Sequence, residues 1–268
     1  SLLILSLICS LRISADDPSF NTYGITGLIA TPTARIPEDG DFGFGISTEK
    51  PFNRLYGRAV FFPWLEGVVR YTEGTYKAYN PGSAQSWKDK GIDIKVRLFK
   101  ETKNIPSVAI GVSDFGGTGA YASEYIVTSK KFNNFDITLG LGWGALGERE
   151  HIDNPMGFIS EKFKRRGGYS SFGGALNLNN YFTGEKAAFF GGIEYFTPIP
   201  NLSMKIEYDS SLYSDAAGFN LYFDKASEDM IVESPFNFAL HYAFDIGTRD
   251  TIDFSLGYTR GNTVFANI

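Results

Sequence analysis

The residues best suited to chemistry are charged side chains set at alternate positions. Asp93, Lys95 and Arg97 follow one another at a spacing of two, Glu66 and Arg70 share one parity, and Asp114 and Glu124 stand near the loop that follows. At that spacing the groups project from one face of an extended strand. Carboxylates so placed accept hydroxyl donors, and Arg or Lys meets acidic groups. The same residues equally suit an internal salt-bridge network that fills and stiffens a wall. If they only stiffen it, reversing the signs of Asp93 and Arg97 together is expected to preserve their pairing.

Other candidates carry less. The loop Phe115-Gly116-Gly117-Thr118-Gly119 has the glycine content of a phosphate cradle but lacks its Lys-Ser/Thr ending and strand-to-helix context, so it reads as a flexible connection. Lys162, Lys164, Arg165 and Arg166 cluster where an outer loop is expected and could meet phosphates or acidic polymer, although a solvated loop is the ordinary reading. Nucleophilic catalysis needs a Ser or Thr beside an oriented base, and His151 and His241 are the two histidines present. His241 shares a face with Asp245 and reads as a structural histidine bonded to a neighbouring strand. No metal site, cofactor or catalytic set is expected.

The elements that must carry these residues read as strands. In Phe135 to Leu146, Phe135, Ile137, Leu139, Leu141, Trp143 and Ala145 oppose Asp136, Thr138, Gly140, Gly142 and Gly144, a period of two. Large apolar groups on one side and small or polar ones on the other suit a wall between lipid and a crowded or watery interior. Lysine at Leu139 or Leu141 is therefore expected to hinder insertion, with Gly140 testing the opposite face. The pattern recurs through Phe42 to Ile46, Arg58 to Phe62, Leu65 to Tyr76, Gly91 to Phe99, Ser107 to Asp114, Tyr121 to Ser129, Tyr169 to Phe182, Ala187 to Thr197, Leu202 to Tyr213, Gly218 to Asp224, Pro235 to Ile246 and Thr251 to Arg260. The expectation is an all-β, transmembrane antiparallel barrel of about 12–14 strands, with closure left open at the carboxyl end.

Composition agrees with that class. The 268 residues include 30 Gly, 24 Phe and 15 Tyr, and no stretch approaches the ~20 apolar residues of a spanning helix. A net charge of −5 offers no basic field for nucleic acid. The one cysteine, Cys9, lies in the apolar run SLLILSLICSL ahead of Ile13-Ser14-Ala15. Residues 1–15 read as a partial signal peptide cleaved after Ala15. Lipidation at Cys9 is the rival, disfavoured by the bulk of Leu7 and Ile8. Residues 16–40, rich in Gly, Pro and Thr, suit an extended periplasmic or plug-like lead-in, and 41–268 the barrel. Links alternate between short and long, which puts 147–168 outside and 183–186 on the periplasmic side. The Pro198-Ile199-Pro200-Asn201 turn is the single link too short for its side.

Several strings then occur together: GLIATPTARIPEDG at Gly27 to Gly40, FFPWLEGVVRYT at Phe61 to Thr72, WKDKGIDIKVRLFKE at Trp87 to Glu101, DFGGTGAYASEYIVTSK at Asp114 to Lys130 and FDITLGLGWGALG at Phe135 to Gly147. Together they resemble the YjbH/WbfB family of outer-membrane proteins associated with exopolysaccharide and capsule production in Gram-negative bacteria. The match is specific over residues 24–150 and rests on barrel pattern beyond. The resemblance implies a longer parent protein with two barrels and a non-catalytic role in secreting or assembling a polysaccharide. It also implies outer-membrane lipid, lipopolysaccharide and other secretion proteins as partners. Glu66, Arg70, Asp93, Lys95, Arg97, Asp114 and Glu124 become candidate polysaccharide contacts in the lumen. A porin-like channel and an outer-membrane hydrolase are the alternatives.

Overall fold

The computed structural model describes residues 18–78, 82–167, 178–213, 231–247 and 250–268. Its strands are β1 (Phe42–Glu49), β2 (Phe52–Phe62), β3 (Leu65–Ala78), β4 (Ser86–Phe99), β5 (Ser107–Ser113), β6 (Ser123–Phe132), β7 (Phe135–Gly144), β8 (Ile152–Asp153), β9 (Lys186–Phe196), β10 (Leu202–Tyr208), β11 (Phe236–Ile246), β12 (Asp250–Thr259) and β13 (Thr263–Asn267). Every pairing is antiparallel, neighbour to neighbour, with β7 passing directly to β9. The sheet closes: β13 returns to β1 with Ser47, Thr48 and Glu49 opposite Asn267, Ala266 and Phe265. Ile46 and Ile268 exchange backbone hydrogen bonds of 2.7 and 2.9 Å. Twelve strands form the wall, and β8 is a short thirteenth laid on β9.

Alternation dictates which way each side chain points, and the result inverts an ordinary globular protein. Phe44, Leu55, Val69, Leu139, Ile206 and Leu240 all face outward and are exposed, Phe44 at 81% and Leu139 at 56%. Their strand neighbours Arg54, Arg70, Lys205 and Glu207 are 1% exposed or less. The polar side of the wall is therefore the packed side. Inward glycines serve this packing: Gly45, Gly111 and Gly140 stand in register with Tyr56, Tyr125 and Phe190. Each ring occupies the space a Cβ would take, at 2.2–2.3 Å. A ring lying over the glycine of the next strand restores the contact area the glycine lacks. Lysine at Gly140 would thus collide with the Phe190 ring, so that position is unsuited as the opposite-face comparison.

Two expectations are corrected by the β7–β9 pairing. β7 pairs directly with β9, so 147–167 and 183–185 lie at the same end of the barrel rather than at opposite ends. Of the expected strand Tyr169 to Phe182, residues 169–177 lie outside the described residues, and 178–180 form a single 3-10 turn. The expected strand Gly218 to Asp224 also lies outside them, and β10 pairs directly with β11. With β7 paired to β9 and β10 to β11, the 197–201 link joins 63–64 and 133–134 at one end, the turn end, and its shortness is no longer anomalous. Residues 145–167, 178–185, 209–213 and 231–235 lie at the other, loop end.

Trp143 departs from the outward pattern of β7, being fully buried. Its indole N–H donates to Asn154 Oδ1 at 2.7 Å and its ring meets Phe182 edge-on at 5.1 Å. The 145–185 connection folds back to cover it. β8 pairs with Lys186 and Ala187 of β9, beyond the stretch where β10 pairs β9, and the Phe189 N–H donates to His151 Nδ1 at 3.0 Å. A sheet edge left by β10 is thus capped by residues 151–153, as an unpaired edge requires.

Candidate functional site

The interior is occupied by residues 18–36. Ser19 to Thr22, Ile25, Thr26, Leu28 to Thr31 and Ala34 are all buried. This segment turns at Asn21 to Gly24, where the Gly24 N–H donates to Asn21 O at 2.9 Å and Gly24 takes φ of 88°. Two isolated bridges, Phe20 to Thr26 and Gly27 to Pro32, are its sheet-like pairings among the described residues. An irregular backbone buried in this way must find hydrogen-bond partners elsewhere, and the wall supplies them.

Glu207 is the densest attachment. Its carboxylate accepts from the N–H groups of Ile29, Ala30 and Thr31 at 2.8–3.0 Å, from Thr31 Oγ1 at 2.8 Å and from Asn237 Nδ2 at 2.8 Å. Lys205 donates to Leu28 O at 2.8 Å and to Ser19 Oγ. Glu66 accepts from Thr26 N–H and Oγ1 at 2.8 and 2.7 Å, pairs with Lys95 at 2.8 Å, and Lys95 donates to Thr26 O at 2.9 Å. Ser47 reaches Thr22 O, Ser107 reaches Ala34 O, Ser129 accepts from the Ala34 N–H, and Asn267 reaches Phe20 O. The fixed polar side chains of the wall therefore satisfy the internal segment.

The seven candidates, five sharing strand parity and two beside the following loop, divide accordingly. Glu66 and Lys95 hold Thr26. Arg70 pairs with Asp93, whose other oxygen accepts from the Asp114 N–H at 2.9 Å. Asp93 and Arg97 do not pair: four strand residues separate them by ~13 Å along β4, and Arg97 instead donates to Pro63 O. Asp114, at φ 59°, accepts from Gly119 and Tyr121 N–H groups at 2.9 and 3.2 Å, so the glycine-rich loop is wrapped around its carboxylate. Glu124 takes a two-pronged contact from Arg166 at 2.8 and 2.9 Å and accepts from the Phe182 N–H at 2.9 Å. Arg166 is therefore turned inward, whereas Lys162 and Arg165 are exposed. Of the seven, Arg97 alone is half-buried and lines an accessible cavity. Sequence reasoning missed Glu207 and Lys205, although both lie on the inward parity of β10.

At the loop end an aromatic layer of Tyr23, Phe52, Trp87, Tyr121 and Tyr213 covers the segment, with the Arg54 guanidinium 4.3 Å from the Tyr23 ring centre. Two carboxyls here sit in low-dielectric surroundings. Burial, then repulsion from Asp89, pushes the Asp114 carboxyl up to about 7. Burial, then Glu207, does the same for Asp209, also to about 7. A carboxyl whose folded pKa exceeds its unfolded value stabilises most where both states are protonated and loses that contribution as pH rises between the two values. For both groups the window runs from 3.8 to about 7. At the turn end Glu101 behaves oppositely: burial raises it, but Lys130 and Arg35 outweigh burial and hold it below 4.5, so its contribution is lost only as pH falls below that value. Hydrogen exchange at Gly119, Tyr121 and Ser211 should therefore be slower at pH 5 than at pH 8 after correction for intrinsic rates. Faster corrected exchange at pH 5 would contradict these assignments.

A cavity of about 230 Å³ opens at the turn end, between the internal segment and the ends of β4, β7 and β9. Arg35 lies against it, bound to Asp136 by two 2.7 Å contacts and to Glu101 at 2.6 Å. His241 contacts Asp253 through Nε2 at 3.0 Å and Ser203 Oγ through Nδ1 at 3.4 Å, so its acidic partner is Asp253, one strand over, and not Asp245. The residue types match a catalytic triad, but the Ser203 hydroxyl donates to Glu194 at 2.6 Å and is buried. Its proton is committed elsewhere, and His241 reads as a brace between β10 and β12.

A closed antiparallel barrel whose polar interior holds its own amino-proximal segment defines a plugged β-barrel protein. The chain belongs to the YjbH family: the family profile described as "Exopolysaccharide biosynthesis protein YbjH" matches residues 19–268. It is 36% identical over 251 residues to "Uncharacterized lipoprotein YjbH" of Escherichia coli (strain K12), covering 92% of this chain and 34% of that protein. The chain thus spans about a third of the length of the curated relative it matches.

Proposed function

We propose that this chain forms an outer-membrane barrel that assists secretion or assembly of an exopolysaccharide or capsule, without chemistry of its own. The observation that carries the membrane reading is the apolar outer wall around a buried polar interior, the arrangement a bilayer requires. Aromatic groups gather at the turn-end rim, where Phe62 stacks on Trp64 at 5.3 Å and Phe135 on Tyr195 at 4.8 Å, as interfacial girdles do. Family membership supports the polymer, and the attached internal segment favours this role over a passive porin, which needs an open water path.

The long connections support an orientation with the loop end outside the cell and the turn end in the periplasm. Single cysteines at Ile159 and Gly184 should therefore both react with an impermeant thiol reagent on intact cells, while one at Asn134 should not; labelling at Asn134 equal to that at Ile159 would refute the orientation. Exposed Lys162 and Arg165 would then face lipopolysaccharide phosphates. Processing after Ala15 leaves a chain beginning at Asp16. The word "lipoprotein" in the relative's name favours instead a lipid on Cys9, and intact mass of the exported protein distinguishes the two. Deleting the full-length gene should reduce surface polysaccharide and complementation should restore it; unchanged polymer in the deletion strain would refute the reading.

A further inference from the structure

Among the charged groups around the turn-end cavity, one guanidinium stands apart. Arg35 is neutralised by Asp136 and Glu101. Arg97 lines the same cavity, contacts the Pro63 carbonyl, and among the described residues has no carboxylate in ion-pair range. Two neighbouring guanidinium groups repel; of the three carboxylates that line the cavity, Asp136 and Glu101 serve Arg35 and Lys130, and Glu194 accepts from the Ser19 and Ser203 hydroxyls. Lys100 adds an exposed ammonium at the rim, and among the described residues neither it nor Arg97 pairs with a carboxylate. This differs from Arg54, Arg70, Lys95 and Arg166, each of which meets an acid.

We infer that this cavity seats one carboxylate-bearing sugar unit, with Arg97 as its anion-binding residue; the inference rests on the polysaccharide reading above. Arginine's planar fork matches a carboxylate through two parallel hydrogen bonds. Thr138 and Glu194 on the facing wall keep acceptor capacity for a sugar hydroxyl beside their contacts to Ser129 and Ser203. A volume of about 230 Å³ falls below the usual range for drug-sized ligands, ~300–1,000 Å³, and suits a single ring better than a length of chain. The site faces the end by which residues 18–40 lead into β1, which is the periplasmic side in the proposed orientation.

The test is calorimetric titration of the full-length protein in detergent with trigalacturonate, maltotriose and inorganic phosphate. Trigalacturonate should bind about tenfold or more tightly than maltotriose, and Arg97→Gln should lose at least about tenfold of that affinity. Arg97→Lys should fall between the two, since it keeps the charge without the fork. Arg97 makes one backbone contact, so the variants should keep the heat-modifiable mobility of a folded barrel. Equal binding of trigalacturonate to wild type and Arg97→Gln would overturn the site, as would equal binding of maltotriose. Phosphate binding as tightly as trigalacturonate, with the same dependence on Arg97, would overturn the sugar assignment by showing that the cavity reads oxyanion charge alone. Polymer export separates this inference from the reading beneath it. Lost binding in Arg97→Gln with polymer unchanged in the gene deletion would refute the export role and leave the site standing. Unchanged binding in Arg97→Gln with polymer lost in the deletion would do the reverse.

Discussion

Replacing Glu207 with alanine should release residues 29–31 from the wall while leaving the twelve-stranded sheet closed. The carboxylate is fully buried and receives three consecutive backbone N–H groups, a hydroxyl and an amide. Its removal orphans donors that cost about 1–3 kcal/mol each when unsatisfied. Water entering the vacated space recovers part of this, which leaves a local destabilisation of roughly 3–5 kcal/mol. Hydrogen exchange at Ile29, Ala30 and Thr31 should accelerate by several orders of magnitude, and protease should cut within 18–40 while the barrel keeps its folded mobility. Unchanged exchange at those three amides would show that the segment is held by other means.

Lysine at Leu139 should have the second large effect. Leu139 is exposed near the middle of β7, and an ammonium on the lipid face at the bilayer midplane costs ~2–4 kcal/mol. Folding titrations into vesicles should show this loss for Leu139→Lys and a much smaller one for Leu139→Ala. The protein supplies its own comparison, because Lys95 and Lys205 occur on the opposite face of the wall and are tolerated there with carboxylate or carbonyl partners. A lysine variant that folds as well as the alanine variant would remove Leu139 from the lipid-facing belt.

Strand parity was legible because a period of two admits one reading once the faces differ so strongly, and it correctly placed Leu139 outside and Lys95 inside. It failed where a second layer of chain lies on the wall. Trp143 has outward parity but is buried beneath Asn154 and Phe182, and no local pattern announces a connection that folds back. A strand expected over 169–182 set the side assigned to the 183–186 link, and the direct pairing of β7 with β9 reverses that side. The partners of the inward charges were also hidden. Alternation states that Asp93 and Arg97 share a face, but cross-strand and plug contacts decide what they touch, so Asp93 meets Arg70 and Arg97 meets a carbonyl. Residues 18–36 have no period because their order comes from the wall's side chains rather than from a ladder, which is why Glu207 and Lys205 went unnominated.

Those attachments separate a filled barrel from a pore. β1, β3, β4, β5, β6, β10 and β13 all send side chains to residues 18–36 through Ser47, Glu66, Lys95, Ser107, Ser129, Glu207 and Asn267. Conductance of the purified protein in planar bilayers tests this most directly. The account predicts no steady porin-like current from the wild-type protein, with current appearing when Glu207→Ala and Lys205→Ala are combined to loosen the segment. A steady, large ohmic conductance from the wild-type protein would contradict it.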